Sequence, residues 1–310
     1  MDKIIAIAQV IVPIFVTVFL GILAKRKTLL TQEQVQGLQQ FVMQFGIPCL
    51  IFNSCLTANI DVSALGTMAL VLPFILVANL WAFRARKKSA FAYHNLPQLF
   101  GPQETGMIGI PLFTVLFGAS EAYRMGILDL NQAIISFPTI AILSTDVGTA
   151  PSIRAIVKKI LTTPMVIMCF LALALNLSGI GTWLAERGVR DVITGTTGFL
   201  AQPVSALMIF CAGYNLSLDR ESRGAIIRLS ALHFAVYAVF CVLIQLGLFL
   251  IPNVDALTRW SILMYTTLPA SYLAPALGRS QKDFTVASGV CSLLTIVCLI
   301  VFAVMAVCVL

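Results

Sequence analysis

Residues 104–118 read ETGMIGIPLFTVLFG, inside a chain that otherwise reads as apolar runs long enough to cross a bilayer. Within eight residues this stretch holds a carboxylate (Glu104), two glycines (Gly106, Gly109) and a proline (Pro111). A helix meant only to cross hydrocarbon would avoid all four. Pro111 has no backbone N–H and disfavours the helical region for Ile110, while the glycines permit unusual dihedrals and close backbone approach. The chain is expected to leave the helix near Gln103–Gly109 and to resume it around Pro111, a favoured first-turn position for proline. Unpaired N–H groups and the positive end of a half-helix would then face the membrane interior.

Composition sets the solvent around this stretch. Of 310 residues, 59% are hydrophobic and 11% charged, with a mean hydropathy of +0.96. A soluble domain of this length needs far more polar surface, so most of the chain must face lipid or other membrane helices. The eight cysteines stand singly in apolar runs without metal-ligand spacing, and read as small packing residues. Uninterrupted spans are Ile4–Ala24, Ala64–Phe83, Pro164–Ile180, Ile226–Ile251 and Thr285–Leu310, each matching a hydrocarbon core of roughly 30 Å. Val35–Leu56, Gly195–Leu216 and Thr258–Gly278 are interrupted spans, and Ala90–Phe117 and Tyr123–Ser144 complete ten. The apolar run of the first span is too long, and lacks the small-residue site, for a cleaved signal peptide.

Charge tests that count. Loops after spans one, three, five, seven and nine hold 15 of the 20 basic residues, among them Lys25–Lys27, Arg84–Lys88, Arg154–Lys159, Arg220–Arg228 and Arg279–Lys282. The opposite side holds Lys3, Arg124, Arg187, Arg190 and Arg259. Basic loops are retained in the cytoplasm, which places both termini outside a multi-pass cell-membrane protein. The +7 charge then faces anionic lipid, and no nucleic-acid partner is implied.

Five spans per half give the halves opposite orientations. Their punctuation corresponds: IPCLIF in span two with QPVSALMIF in span seven, and IPLFTVLFG in span four with LPASYLAPALG in span nine. Broken segments at matching positions of inverted halves point to a transporter's binding site. The reading is an all-α polytopic membrane protein of ten transmembrane helices, a 5+5 inverted repeat (residues 1–150 and 151–310), with crossed broken helices in spans four and nine. Pro269 is expected to restart a half-helix through Ala270, Ser271 and Tyr272, so that two helix ends face each other across a site for an anion.

ETGMIGIPLFTVLFG resembles the fourth-span motif of the auxin efflux carrier family, which usually begins with asparagine. GLQQFVMQFGIPCLIF resembles its second span, AYRMGILDLNQAII its fifth, and TTLPASYLAPALG with ASGVCSLLTIVCLIV its ninth and tenth. The resemblance implies a secondary carrier related in fold to sodium/proton antiporters and bile acid symporters. Spans one, two, six and seven would form a scaffold that often dimerises. Spans three to five and eight to ten would form a moving transport domain. It implies a small-molecule substrate, an organic anion such as auxin or a small carboxylate, with H+ or Na+ as coupling ion and no other cofactor. A sodium-coupled, bile-acid-symporter-like carrier and a carrier of a non-anionic solute are the alternatives.

Glu104 stands where the family has asparagine. An ionised glutamate repels an anion, so either Glu104 is protonated when substrate binds or the substrate is not a simple anion. The candidate substrate-binding residues are Glu104, Thr105, Gly106, Gly109, Pro111, Pro269, Ala270, Ser271 and Tyr272. The candidate ion-coupling residues are Glu104, Asp129 and Asn131, since an intramembrane carboxylate is a functional hypothesis by default. Asn53 and Ser54 read as caps of a broken second span, His94 as interfacial or as a proton relay, and His233 as packing. No constellation such as HExxH or paired aspartates across helices suggests an enzyme. A channel would also use broken helices, but matched breaks in inverted halves favour a carrier.

Overall fold

A computed structural model of the chain describes residues 2–58, 62–144, 152–217 and 222–310. The described residues are helical, with no strand among them beyond one isolated antiparallel bridge, Gln103–Ala270. In chain order the helices are α1 (Asp2–Arg26), α2 (Gln32–Phe41), α3 (Ile47–Thr57), α4 (Val62–Ala85), α5 (Leu96–Phe100), α6 (Ile110–Phe117), α7 (Ala122–Ser144) and α8 (Ile153–Leu161). There follow α9 (Pro164–Leu177), α10 (Ile180–Glu186), α11 (Val189–Ala201), α12 (Val204–Asn215), α13 (Arg223–Gly247), α14 (Ala256–Thr267) and α15 (Gln281–Val309). Among the described residues, six helical segments are long and apolar enough to cross a membrane, and a seventh is made if α9 and α10, bent by 76°, count as one. The boundary at 150/151 and Arg220 lie outside the described residues.

The interrupted spans behave differently from one another. Span two is continuous over Gln32–Thr57. A π turn at Val42–Gly46 joins α2 to α3, with the Ile47 N–H reaching the Val42 carbonyl. The wider turn accommodates the missing donor and the ring of Pro48 without breaking the helix. Asn53 and Ser54 therefore do not cap span two. Asn53 donates to the Thr194 carbonyl at 3.3 Å, and Ser54 donates to the Ser120 carbonyl at 2.7 Å while accepting the Tyr123 N–H at 2.6 Å. Both fasten α3 to its neighbours. Span seven runs Val189–Asn215, six residues longer at its start than the apolar run, and Pro203 sits in its short α11–α12 joint. Span six turns through Gly179, whose φ of 76° is a left-handed conformation that glycine adopts without a Cβ penalty.

Packing is closest between α1 and α12. A Cβ on Gly21 would lie 2.1 Å from the Phe210 carbonyl oxygen, and one on Gly213 would lie 2.2 Å from that of Val18. The two backbones touch, as small residues allow between membrane helices. A second apolar cluster joins α4, α5, α13 and α15 around Leu96, Phe100, Ile226 and Val290, and it supports the two segments that leave the helix.

Candidate functional site

Between α5 and α6 the chain is non-helical over residues 101–104, then forms a π turn at Thr105–Gly109 that runs into α6. The helix therefore resumes at Thr105, earlier than Pro111. The reason is Glu104, whose side chain caps the turn by accepting the Met107 N–H at 3.4 Å. Pro111 sits buried in the first turn of α6, where no N–H is needed. After α14 the chain is extended at Leu268 and does not restart an α-helix after Pro269. It forms a turn and a 3₁₀ turn at Pro275–Leu277 before α15. Pro275 and Gly278 leave too few residues for a helix there. The expectation of two facing half-helices is corrected on this side: one partner is helical and the other is extended backbone.

These two breaks meet. The Glu104 N–H donates to the Pro269 carbonyl at 2.8 Å and the Ser271 N–H to the Pro102 carbonyl at 3.3 Å, around the Gln103–Ala270 bridge. The other Glu104 carboxylate oxygen accepts the Tyr272 N–H at 2.6 Å. One carboxylate thus spans the crossing, taking an N–H from each break. Glu104 is 8% exposed, Thr105 1%, Ser271 6% and Ala270 0%, so these bonds form away from bulk water. The Tyr272 hydroxyl lies 2.6 Å from that of Thr295 on α15, which holds its ring aside. Gly109 has no room for a side chain: a Cβ there would lie 2.8 Å from Leu268 and 2.9 Å from Met125.

Residues not singled out in the sequence hold this arrangement. Gln132 on α7 accepts the Gln103 N–H and donates to the Thr105 hydroxyl. Its amide also donates to Asp129 at 3.1 Å. Asp129 is thereby joined to the crossing through one amide, whereas Asn131 turns away and donates to the Met68 carbonyl of α4 at 2.9 Å. The Gln103 amide, oriented by its surroundings, donates to the carbonyls of Leu268 and Pro269 at 2.8 and 3.2 Å. At the other end of the first break, His233 lies 2.9 Å from the Leu99 carbonyl, and the Tyr237 hydroxyl lies 2.9 and 2.8 Å from those of Phe100 and Gly101. The carbonyls orphaned at the end of α5 are satisfied by α13. Asn79 donates to the Pro97 carbonyl and to Thr139, buried between α5 and α7. His94 lies against the Leu143 carbonyl at 2.9 Å.

A cleft of about 490 Å³ opens between α3, the end of α6 and α11–α12. Its lining includes Asn53, Ser54 and Thr57 on one wall and Arg190, Thr194, Gln202 and Ser205 on another. Thr114 and Ser205, 3.1 Å apart, close its α6 side. Thr114 lies five residues beyond Gly109 on the same helix, about 7.5 Å along its axis. The stripe Arg190, Thr194, Gly198, Gln202 was legible as a four-residue polar or small period in the sequence.

The family model described as membrane transport protein matches residues 6–150, which hold the second-, fourth- and fifth-span motifs. An uncharacterized transporter of Methanothermobacter thermautotrophicus is 25% identical over 205 residues, covering 63% of this chain and 64% of the relative. The match thus spans less than two thirds of that relative's length. Several of its helices are long and apolar enough to cross a bilayer, and over residues 6–150 the chain is similar to membrane transport proteins.

Proposed function

We propose that this transport protein is a secondary active carrier of a small organic anion, coupled to H+ or Na+, whose substrate site is the crossing of its two broken segments. The element order supports ten crossings in two groups of five: α1, α2–α3, α4, α5–α6 and α7, then α9–α10, α11–α12, α13, α14 to Gly278 and α15. On this reading spans one, two, six and seven are the scaffold, through which two copies pair. The other six spans move against it in an elevator-type cycle in the cell membrane, with both termini outside. The cleft then lies on the outer side between scaffold and transport domain, as a route to the crossing.

The observation that carries the proposal is the Glu104 carboxylate held by the N–H groups of Tyr272 and Met107. The two breaks build a seat for a carboxylate, and the chain's own side chain fills it. A substrate carboxylate can take those N–H groups once a proton neutralises Glu104 and frees it from them. Proton and anion then bind together, and linkage makes each raise the affinity of the other by the same factor. The Gln132 bridge to Asp129 offers a second carboxylate within reach of the same site. Because the seat is occupied, a second reading holds that the solute is not an anion and that Glu104 attracts it.

Binding of small carboxylates and of amines to the purified protein between pH 5 and 8 separates these readings. For the anion carrier, affinity for a carboxylate falls as pH rises, and Glu104→Gln, a mimic of the neutral acid, binds with little pH dependence. Wild-type pH dependence retained in Glu104→Gln removes Glu104 from coupling. Stabilisation of the wild type by amines alone, lost in Glu104→Gln, selects the second reading.

A further inference from the structure

The linker between the proposed halves contains a helix that the carrier mechanism does not use. In α8, IRAIVKKIL, apolar residues recur at Ile153, Ile156, Val157, Ile160 and Leu161, the one-face period of an amphipathic helix. Ser152 caps it by accepting the Ala155 N–H at 3.2 Å. Its apolar stripe is not packed away: Ile153 is 80% exposed, Leu161 56% and Val157 47%. Arg154 and Lys158, one turn apart and both exposed, flank that stripe. Neither forms an ion pair among the described residues.

Its position decides what could cover it. Only Thr162 and Thr163 separate α8 from α9, whose apolar run starts at Pro164. Three residue steps reach about 10 Å at most, so α8 cannot leave the boundary where α9 meets the bilayer. A short helix with an uncovered apolar stripe and basic flanks at that depth matches a segment lying in the membrane surface. Of its three basic residues, Arg154 and Lys158 are exposed and complement phosphate-bearing headgroups.

We propose that α8 is a surface-lying membrane contact: Ile153, Val157 and Leu161 enter the acyl boundary, while Arg154 and Lys158 take anionic lipid headgroups. The contact anchors the linker through which one half of the transporter follows the other. It rests on α9 crossing the bilayer, and not on the identity of any substrate.

Hydrogen exchange on the full chain tests this, in nanodiscs of phosphatidylcholine alone and with one part in about three of phosphatidylglycerol. A basic side chain near an anionic surface strengthens attachment about fivefold. Amides of residues 152–161 should therefore exchange roughly tenfold or more slowly in the anionic discs, with α13 and α15 unchanged. Arg154→Gln/Lys158→Gln, on exposed positions that leave folding intact, should remove most of the difference between lipids. Val157→Ser should speed exchange in both. Equal exchange of the wild type in the two lipids overturns the proposal, as does a difference that the double substitution leaves undiminished. Protection that arises only when a soluble protein is added assigns the face to a protein partner and overturns it too.

Discussion

Gly106 and Gly109 stand in the same π turn, yet a methyl group on each would meet different neighbours. At Gly106 it would touch the end of Met43 at 3.2 Å, a flexible side chain that can retreat. At Gly109 it would press on Leu268 at 2.8 Å and Met125 at 2.9 Å, and Leu268 immediately precedes Pro269. Gly109→Ala is expected to destabilise the protein by about 1–3 kcal/mol and to impair the crossing, and Gly106→Ala to cost well under half of that. Thermal unfolding of the two variants in one detergent checks the order. Glu104 was legible as a candidate because a carboxylate in an apolar run is costly without a purpose. Its partner was not: the Tyr272 N–H is 168 residues away, and backbone donors carry no residue signature. Gln103, Gln132 and Tyr237 were missed for the same reason, since each answers a backbone or amide group supplied by a distant segment.

Among elements, four prolines that look alike in sequence have three outcomes. Pro48 is absorbed by a π turn, Pro203 marks a short joint, and Pro111 and Pro269 flank true breaks. A break in a membrane interior persists only where other groups satisfy the freed backbone, and here each break supplies the other. Capping shows the same dependence on partners at the start of α14. Asp255 accepts the Thr258 N–H at 2.8 Å and receives both terminal nitrogens of Arg124, at 2.8 and 2.6 Å. Partial burial works against its ionised form, but Thr258 and Arg124 together hold the carboxyl below the ordinary aspartate range. With the folded value depressed, the stabilisation is present above the unfolded value and is lost as pH falls through the folded one. Asp255→Asn keeps the cap but discards the charge on a half-exposed pair. It should cost about 0.5–1 kcal/mol at neutral pH, and the difference in thermal stability should vanish on acidification below the ordinary aspartate range. A difference that persists unchanged in acid would mean that the charge contributes nothing.

For the whole molecule, orientation is the property the charge distribution predicts most directly, and it is open to chemical labelling. Cys308 is the exposed thiol among the described cysteines, six are buried and Cys241 is intermediate, so Cys308→Ser leaves a quiet background. Ser89→Cys, after α4, and Ser120→Cys, between α6 and α7, are both exposed positions in opposite loops. An impermeant maleimide outside intact cells should label Ser120→Cys and leave Ser89→Cys until the membrane is opened. Labelling of both from outside removes the ten-span topology. By itself the sequence determined that the chain lives in a membrane, roughly where its helices run, and that the apolar runs holding Pro111 and Pro269 are interrupted. These follow from local quantities: apolar run length, loop charge, and the missing donor of proline. Only the tertiary structure decided that the two irregular segments pair as extended backbone against a helical turn, that Glu104 occupies the seat they make, and that span two stays whole. Those outcomes depend on which distant group meets each freed N–H and carbonyl, a question that local sequence does not encode because every backbone offers the same donors and acceptors.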